Sequence, residues 1–312
     1  MQNYKFIPEF ESFYQKIKDG EILTKRGERY AYGSAYTWKT ALYNFRRYEE
    51  FAGQPLYMAD VDTAFVYSLV KYLNSRNLTK NSVGCILKRL YAFANHCFNR
   101  HLHLSFERLN LWETTRPVYN TLEEIESLLS LPLYGTEERI RDIYVLQCNL
   151  GLRYSDMLRL LETRLSDRIH HNGVGYILKL TTLKTREEVD IPIRSQALGI
   201  LEKYHFGRIA PPCIVTVNRR IKGIARQAGI DSTVVLSGTR GGLFSDTFHK
   251  KYEKMCTHTA RRSFATNAFL AGVNTRSIML ITGHATEASF RRYIGATNLE
   301  NAISLQSHPF FA

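Results

Sequence analysis

The forty residues from Cys256 to Gly295 constrain this chain more than any other stretch. Ala260, Phe264, Ala268 and Ala271 recur at three- and four-residue steps behind Thr257, the ridge of one helix, and Gly272 closes it. On that helix His258 and Arg261 are three apart, so they share a face in its first turn. Asn274 opens a second short helix ended by Gly283, and His284 follows at once. Thr286 is placed to cap a third, which is expected to carry Tyr293. Two histidines, an arginine and a tyrosine thus come from three short elements joined by tight turns, and they can converge.

Such a set suits phosphate chemistry. Attack on a phosphodiester requires its charge to be cancelled and a nucleophile to lose its proton. A tyrosine, with an ordinary pKa of about 10, needs help to act as a phenolate. A histidine can take the proton, and an arginine fork can grip two phosphate oxygens.

The charge balance agrees. Lys and Arg number 42 against 29 acids in 312 residues, a formal +13, so the natural partner is a polyanion. No apolar run approaches the roughly 18–20 residues of a membrane span, and no signal peptide opens the chain. The basic residues are dispersed through folded-looking segments, which favours nucleic acid over an anionic membrane. The five cysteines (85, 97, 148, 213 and 256) are far apart and odd in number, the pattern of reduced cytosolic thiols rather than a disulfide framework or zinc site. His101 and His103, and the pair His170–His171, lack partners at ligand spacing, so no metal is assigned.

The length has room for two domains. Residues 1–106 are expected to form a four-helix bundle. Its helices are marked by Ile7 to Ile17 with Gly20 after them, by Trp38, Leu42 and Phe45 behind a Ser34 cap, by 62–75, and by Val83 to Cys97 behind a Thr79 cap. Lys39, Arg46 and Arg47 on the second helix, and Lys80, Lys88, Arg89 and Arg100 on the fourth, are candidates for a DNA-facing surface. Residues 107–120, with Arg116-Pro117, form the linker, and 121–312 the second domain.

In that second domain Thr121 and Glu124 form a capping box, and a longer helix runs over 137–149 to Gly151. In G-L-R-Y-S-D (151–156) Ser155 is placed as a helix cap with Asp156 in the first turn, and Arg153 falls in the loop before it. Asn172-Gly173 signals one hairpin turn, and Lys184 sits near the tip of a second. Two helices are expected at 196–206 and 217–228. A further hairpin surrounds T-R-G-G (239–242) with Arg240 at its basic tip, and a short amphipathic helix covers 298–305.

H-T-A-R at 258–261, G-H at 283–284 and Tyr293 nine residues later resemble the C-terminal signature of the tyrosine recombinase (phage integrase) family. G-L-R-Y-S-D resembles its first-arginine segment, and T-L-K-T-R-E-E-V-D-I-P (182–192) its lysine-bearing hairpin. The resemblance implies a mostly α fold with a small β-sheet (α+β), in which a helical core-binding, DNA-clamp domain precedes the catalytic domain. It implies a catalytic set of Arg153, Lys184, His258, Arg261, His284 and Tyr293, braced by Asp156. Arg262, Arg291 and Arg292 become candidates for backbone contact. It further implies double-stranded recombination sites as partner, and cleavage through a 3′-phosphotyrosine with neither metal nor ATP. Strand exchange would pass through a four-way junction in a homotetramer linked by its C-terminal helices, with accessory DNA-bending proteins as possible helpers. A cytoplasmic, nucleoid-associated location goes with this. The alternatives are a type IB topoisomerase-like nicking-rejoining enzyme and a DNA-binding regulator without catalysis.

Overall fold

The structure, a computed structural model, describes residues 4–98, 108–306 and 311. Arg100, His101 and His103 lie outside the described residues. The chain divides into two compact units, Met1–Thr115 with Ser237–Asp246, and Arg116–Leu236 with Thr247–Ala312.

Among its described residues the first unit holds four α-helices, α1 (Phe6–Asp19), α2 (Tyr32–Ala52), α3 (Thr63–Ser75) and α4 (Lys80–Phe98). Their core is aromatic. Phe6, Phe10, Phe45 and Phe93 are fully buried, and Phe6 meets Phe45 and Phe93 edge-on at ring separations of 5.2 and 5.6 Å. Such pairs add about 0.5–1.5 kcal/mol beyond their buried area. Asp62 caps α3 by accepting the Phe65 N–H, and the Thr79 hydroxyl accepts from Ser82 at the start of α4. Ser34 is not the cap of α2. That helix begins three residues earlier, with Ala31 at its N-cap and the Ser34 N–H already bonded to the Ala31 carbonyl. In the same unit the Glu113 carboxylate accepts both the backbone N–H and the hydroxyl of Thr239.

The second unit begins with α5 (Leu122–Leu129), where the Thr121–Glu124 capping box is formed, and α6 (Gly135–Leu150). Every residue of α6 from Ile140 to Leu150 is buried, so the core closes around this helix on all sides. Its buried charges are paired. Arg141 binds Asp142 at 2.6 Å and the carbonyls of Leu129 and Leu131, while Lys203 reaches Asp142 at 2.7 Å. After α7 (Tyr154–Leu161) comes an antiparallel sheet of β1 (Ile169–His171), β2 (Tyr176–Thr181) and β3 (Glu188–Pro192), in that order. Leu178 pairs with Ile191 and Leu180 with Val189, which sets these four side chains inward and leaves the β2–β3 turn projecting.

Next are α8 (Ser195–Lys203) and α9 (Ile214–Gln227). The expected continuation of α8 to 206 fails because His205 and Phe206 both adopt left-handed backbone, φ 51°. The hairpin of β4 (Thr233–Arg240) and β5 (Leu243–Lys250) turns at Gly241-Gly242, with Arg240 beside the turn. The last helices are α10 (Thr257–Leu270), α11 (Thr275–Thr282), α12 (Glu287–Arg291) and α13 (Asn298–Leu305). Ala265, Ile278 and Phe290, one from each of α10, α11 and α12, form a small buried cluster that ties these three elements together. Among the described residues no helix is long and apolar enough to cross a membrane.

Candidate active site

That cluster is what makes the polar residues converge. With the three helices locked, Tyr293 brings its hydroxyl to 2.8 Å from Nε2 of His258, and the two rings meet edge to face at 5.0 Å. The His284 ring lies 4.4 Å from the Tyr293 ring, and the guanidinium of Arg261 stands 5.6 Å from the same ring centre. Tyr293 does not ride on α12 as its spacing suggests. The helix ends at Arg291, and the Tyr293 N–H makes a tight bond to the Phe290 carbonyl two residues before Gly295. A Cβ on Gly295 would sit 2.6 Å from the Tyr119 ring and 2.8 Å from the Pro117 carbonyl, so only glycine lets the chain pass there.

Arg261 is 2 % exposed. It donates to the Gly151 carbonyl at 2.7 Å and to that of Thr282, both at helix C-termini where carbonyls lack helical partners. Glycines in left-handed conformation end those helices, Gly151 at φ 66° and Gly283 at φ 60°. Burial, and then the charge of Arg153, lower the Arg261 pKa to about 10, which leaves it cationic at neutral pH. Arg153 is the N-cap residue of α7, not part of a loop ahead of a Ser155 cap; the N–H groups of Asp156 and Met157 both bond its carbonyl, and Ser155 lies within the first turn. Its guanidinium reaches the Gly283 carbonyl at 3.4 Å. Nη1 of Arg153, Nε of Arg261 and Nε of Arg262 are buried without a hydrogen-bond partner among the described residues. Buried donors left unpaired are costly unless a ligand satisfies them, and three from arginines that all act on His258 fit an anion.

Asp156, 2 % exposed, accepts the Leu183 N–H at 2.8 Å. This fastens the β2–β3 turn one residue before Lys184, which is exposed. Thr182 and Thr185 hydroxyls bond each other at 2.7 Å across the same turn.

Both histidines are held neutral. His258 is exposed as a residue, and its ring stands edge to face with that of Tyr293. Desolvation first, then Arg262, Arg261 and Arg153, lower its pKa to about 4. For His284 desolvation leads again, followed by Arg261, Arg153, His258 and Lys184, with the same result of about 4. A neutral His258 beside a tyrosine hydroxyl is set to accept its proton.

Of the residues expected at the site, Arg153, His258, Arg261, His284 and Tyr293 come together, with Lys184 on the turn that Asp156 anchors. Arg262, expected only as a backbone contact, lies over the Tyr293 ring at 5.8 Å. Thr282 carries no signal in the sequence beyond being a threonine that follows the apolar Ile278 to Ile281. Arg291 and Arg292 are exposed, Arg291 with Glu287 at 3.7 Å. In the first unit Lys39 and Lys88 are exposed and Lys80 is half-buried. Arg46 pairs with Glu11 at 2.6 Å, and Arg47 binds the Tyr43 hydroxyl at 2.8 Å. Arg89 is not an outward charge. It is half-buried, donates to Thr37 at 2.8 Å and holds its guanidinium over the Trp38 ring at 5.3 Å, a neighbour that the sequence pattern does not show. Arg240 donates to the Asn77 carbonyl. Among the described residues no three His, Cys, Asp or Glu side chains cluster as metal ligands, and none of the five cysteines forms a disulfide.

Comparison with known proteins places these residues in context. Residues 120–300 match the phage integrase family and residues 5–104 the phage integrase SAM-like domain. Tyrosine recombinase XerC of Roseiflexus sp. (strain RS-1) is 26% identical over 266 residues, covering 80% of this chain and 79% of that one. Tyrosine recombinase XerD of Proteus mirabilis is 27% identical over 208 residues, 60% of this chain and 58% of that one. In fold, XerH recombinase bound to its difH substrate superposes with a TM-score of 0.67 at 12% identity over 96% of both chains. A lambda integrase dimer bound to a core site gives 0.62 at 15% identity, over 91% of this chain and 93% of that one. The two-domain, mostly helical architecture with small antiparallel sheets is theirs. Since the family match spans more than half of its length, the chain belongs to the phage integrase family, the tyrosine recombinases, enzymes that transfer DNA strands in site-specific recombination.

Proposed function

We propose that this enzyme cuts and rejoins double-stranded recombination sites with Tyr293 as nucleophile. The observation that carries the reading is the 2.8 Å contact between the Tyr293 hydroxyl and a neutral His258, beside guanidinium donors without a partner among the described residues. The phenol proton passes to His258 Nε2 as the phenolate oxygen bonds to phosphorus. Arg153 and Arg261 hold the non-bridging oxygens and stabilise the charge that builds there. Lys184 gives its proton to the departing 5′ oxygen, and His284 hydrogen-bonds the phosphate. The product is a 3′-phosphotyrosine and a free 5′ hydroxyl. Attack by the 5′ hydroxyl of a second duplex reverses the step, with His258 returning the proton. Because the covalent bond is conserved, no ATP is called for, and the cationic side chains take the part a metal would otherwise play.

Residues 1–106 serve as the core-binding domain, 107–120 as linker and 121–312 as the catalytic domain. Lys39, Arg46, Arg47, Lys80 and Lys88 contribute phosphate contacts, with Arg240, Arg291 and Arg292 as further candidates. Arg89, whose guanidinium lies over the Trp38 ring at 5.3 Å, is a candidate of the same kind. Helix α13 has no buried residue and exposes Leu299 and Ile303, which suits docking on a neighbouring protomer in a tetramer on DNA. Accessory DNA-bending proteins and a nucleoid-associated location in the cytoplasm belong to the same reading.

The test is strand exchange. Random duplexes retained by the protein are sequenced, and two copies of the enriched site are incubated with it in EDTA. Exchanged products and four-way junctions are expected. Relaxation of supercoiled DNA at any sequence, without exchange, would instead favour a topoisomerase-like enzyme.

A further inference from the structure

Thr282 ends α11 two residues before His284 and is 1 % exposed. The hydroxyl oxygen stands 2.7 Å from the Ile278 carbonyl and 2.8 Å from Nδ1 of His284. A carbonyl can only accept, so at that separation the single hydroxyl proton must lie between Thr282 and Ile278; without it two oxygens would face each other uncompensated. The oxygen then has only lone pairs to offer His284. The backbone carbonyl of the same residue receives Arg261, so neither half of Thr282 is free to turn.

We propose that Thr282 is a positioning residue that fixes His284 with its proton on Nδ1, leaving Nε2 as the one ring nitrogen available to the scissile phosphate. Among the described residues no protein group hydrogen-bonds Nε2. A phosphodiester offers only acceptors, so Nε2 must gain a proton before it can bind one. The charged and titratable groups that face the ring are Arg261 and His258 of α10, Arg153 at the start of α7, Lys184 of the β2–β3 turn, and Tyr293. These cations keep the ring neutral while the site is empty, and a bound phosphate reverses that balance. Closure of the site on DNA is therefore accompanied by uptake of one proton at His284. The assignment of the proton to Nδ1 stands by itself; its link to DNA rests on the proposed function.

The experiment uses the full chain labelled with ¹⁵N-histidine, in which two-bond proton–nitrogen spectra distinguish protonated from bare ring nitrogens. The His284 signals are assigned by their loss in His284→Gln. At neutral pH the wild type is expected to show a protonated Nδ1 and a bare Nε2. Thr282→Ser, which keeps the hydroxyl, preserves that pattern. Thr282→Val, which keeps the shape, loses it, and its single-turnover cleavage falls roughly tenfold, while Thr282→Ser stays within about twofold of wild type. Calorimetry of DNA binding in two buffers of different ionisation enthalpy reads the proton uptake, which is expected near one and reduced in Thr282→Val. A wild-type His284 with its proton on Nε2, or an unchanged tautomer in folded Thr282→Val, overturns the proposal. A protein that forms no covalent DNA adduct yet shows the Nδ1–H tautomer supports the assignment while removing the functional reading.

Discussion

His258 Nε2 lies 2.8 Å from the Tyr293 hydroxyl within one chain, with no second copy required to deliver the tyrosine. The proton acceptor is thus already in place before DNA arrives. Replacing it by glutamine keeps a hydrogen-bonding side chain but removes the base. His258→Gln is expected to slow single-turnover cleavage by about 10²–10⁴-fold with DNA retention little changed. Equal losses in both measurements would mean that His258 acts in binding rather than in proton transfer.

Arg261 has a structural task as well as a chemical one. It joins the ends of α6 and α11 by donating to the Gly151 and Thr282 carbonyls from a site 2 % exposed. Arg261→Lys keeps the charge but cannot span both carbonyls with one compact ammonium. It is expected to cost about 1–3 kcal/mol in denaturant unfolding, because one buried carbonyl is left unpaired, and to abolish most cleavage. Wild-type stability in this variant would show that the clamp is not needed.

Asp156 is tied to the chemistry through the turn that carries Lys184, where its carboxylate accepts the Leu183 N–H. If Lys184 protonates the departing oxygen, a 5′-bridging sulfur should relieve the need, since a thiol ionises near pH 8.5 and leaves without a proton. Asp156→Ala and Lys184→Ala are both expected to be slow on the oxygen substrate and to recover on the sulfur one. Arg153→Ala should not recover. Failure of Asp156→Ala to recover would separate the carboxylate from the lysine turn.

The two neutral histidines also make stability depend on pH. Their folded pKa of about 4 lies below the ordinary value near 6.5, so between those values the unfolded chain binds more protons. Stability from this source is complete above pH 6.5 and is lost as the pH falls towards 4. Urea midpoints of the free protein should drop across that window, and drop less in the His258→Gln, His284→Gln double variant. Equal drops would assign the acid sensitivity to other groups.

Much of this was legible beforehand because the relevant signals are local. Gly20, Gly151 and Gly283 ended their helices, the Thr121–Glu124 box opened α5, and Lys184 fell in a hairpin turn. What the sequence concealed depends on three-dimensional neighbours. Arg89 has the pattern of a solvated charge until Trp38 is seen beneath it. Thr282 has that of a helix residue until its hydroxyl is seen shared between Ile278 and His284. The start of α2 is hidden because Ala31 caps it without a side-chain bond, so no residue type marks the position. The spacing sets Tyr293 on α12, whereas the helix stops short of it; five residues are too few for a periodic pattern to fix an end.

The most direct test is a nicked suicide duplex carrying the enriched site, incubated with the protein in EDTA and followed by proteolysis and mass spectrometry. The account predicts a covalent adduct whose DNA is joined through its 3′ phosphate to Tyr293, and none with Tyr293→Phe. An adduct on another residue, or one that persists in Tyr293→Phe, would contradict it.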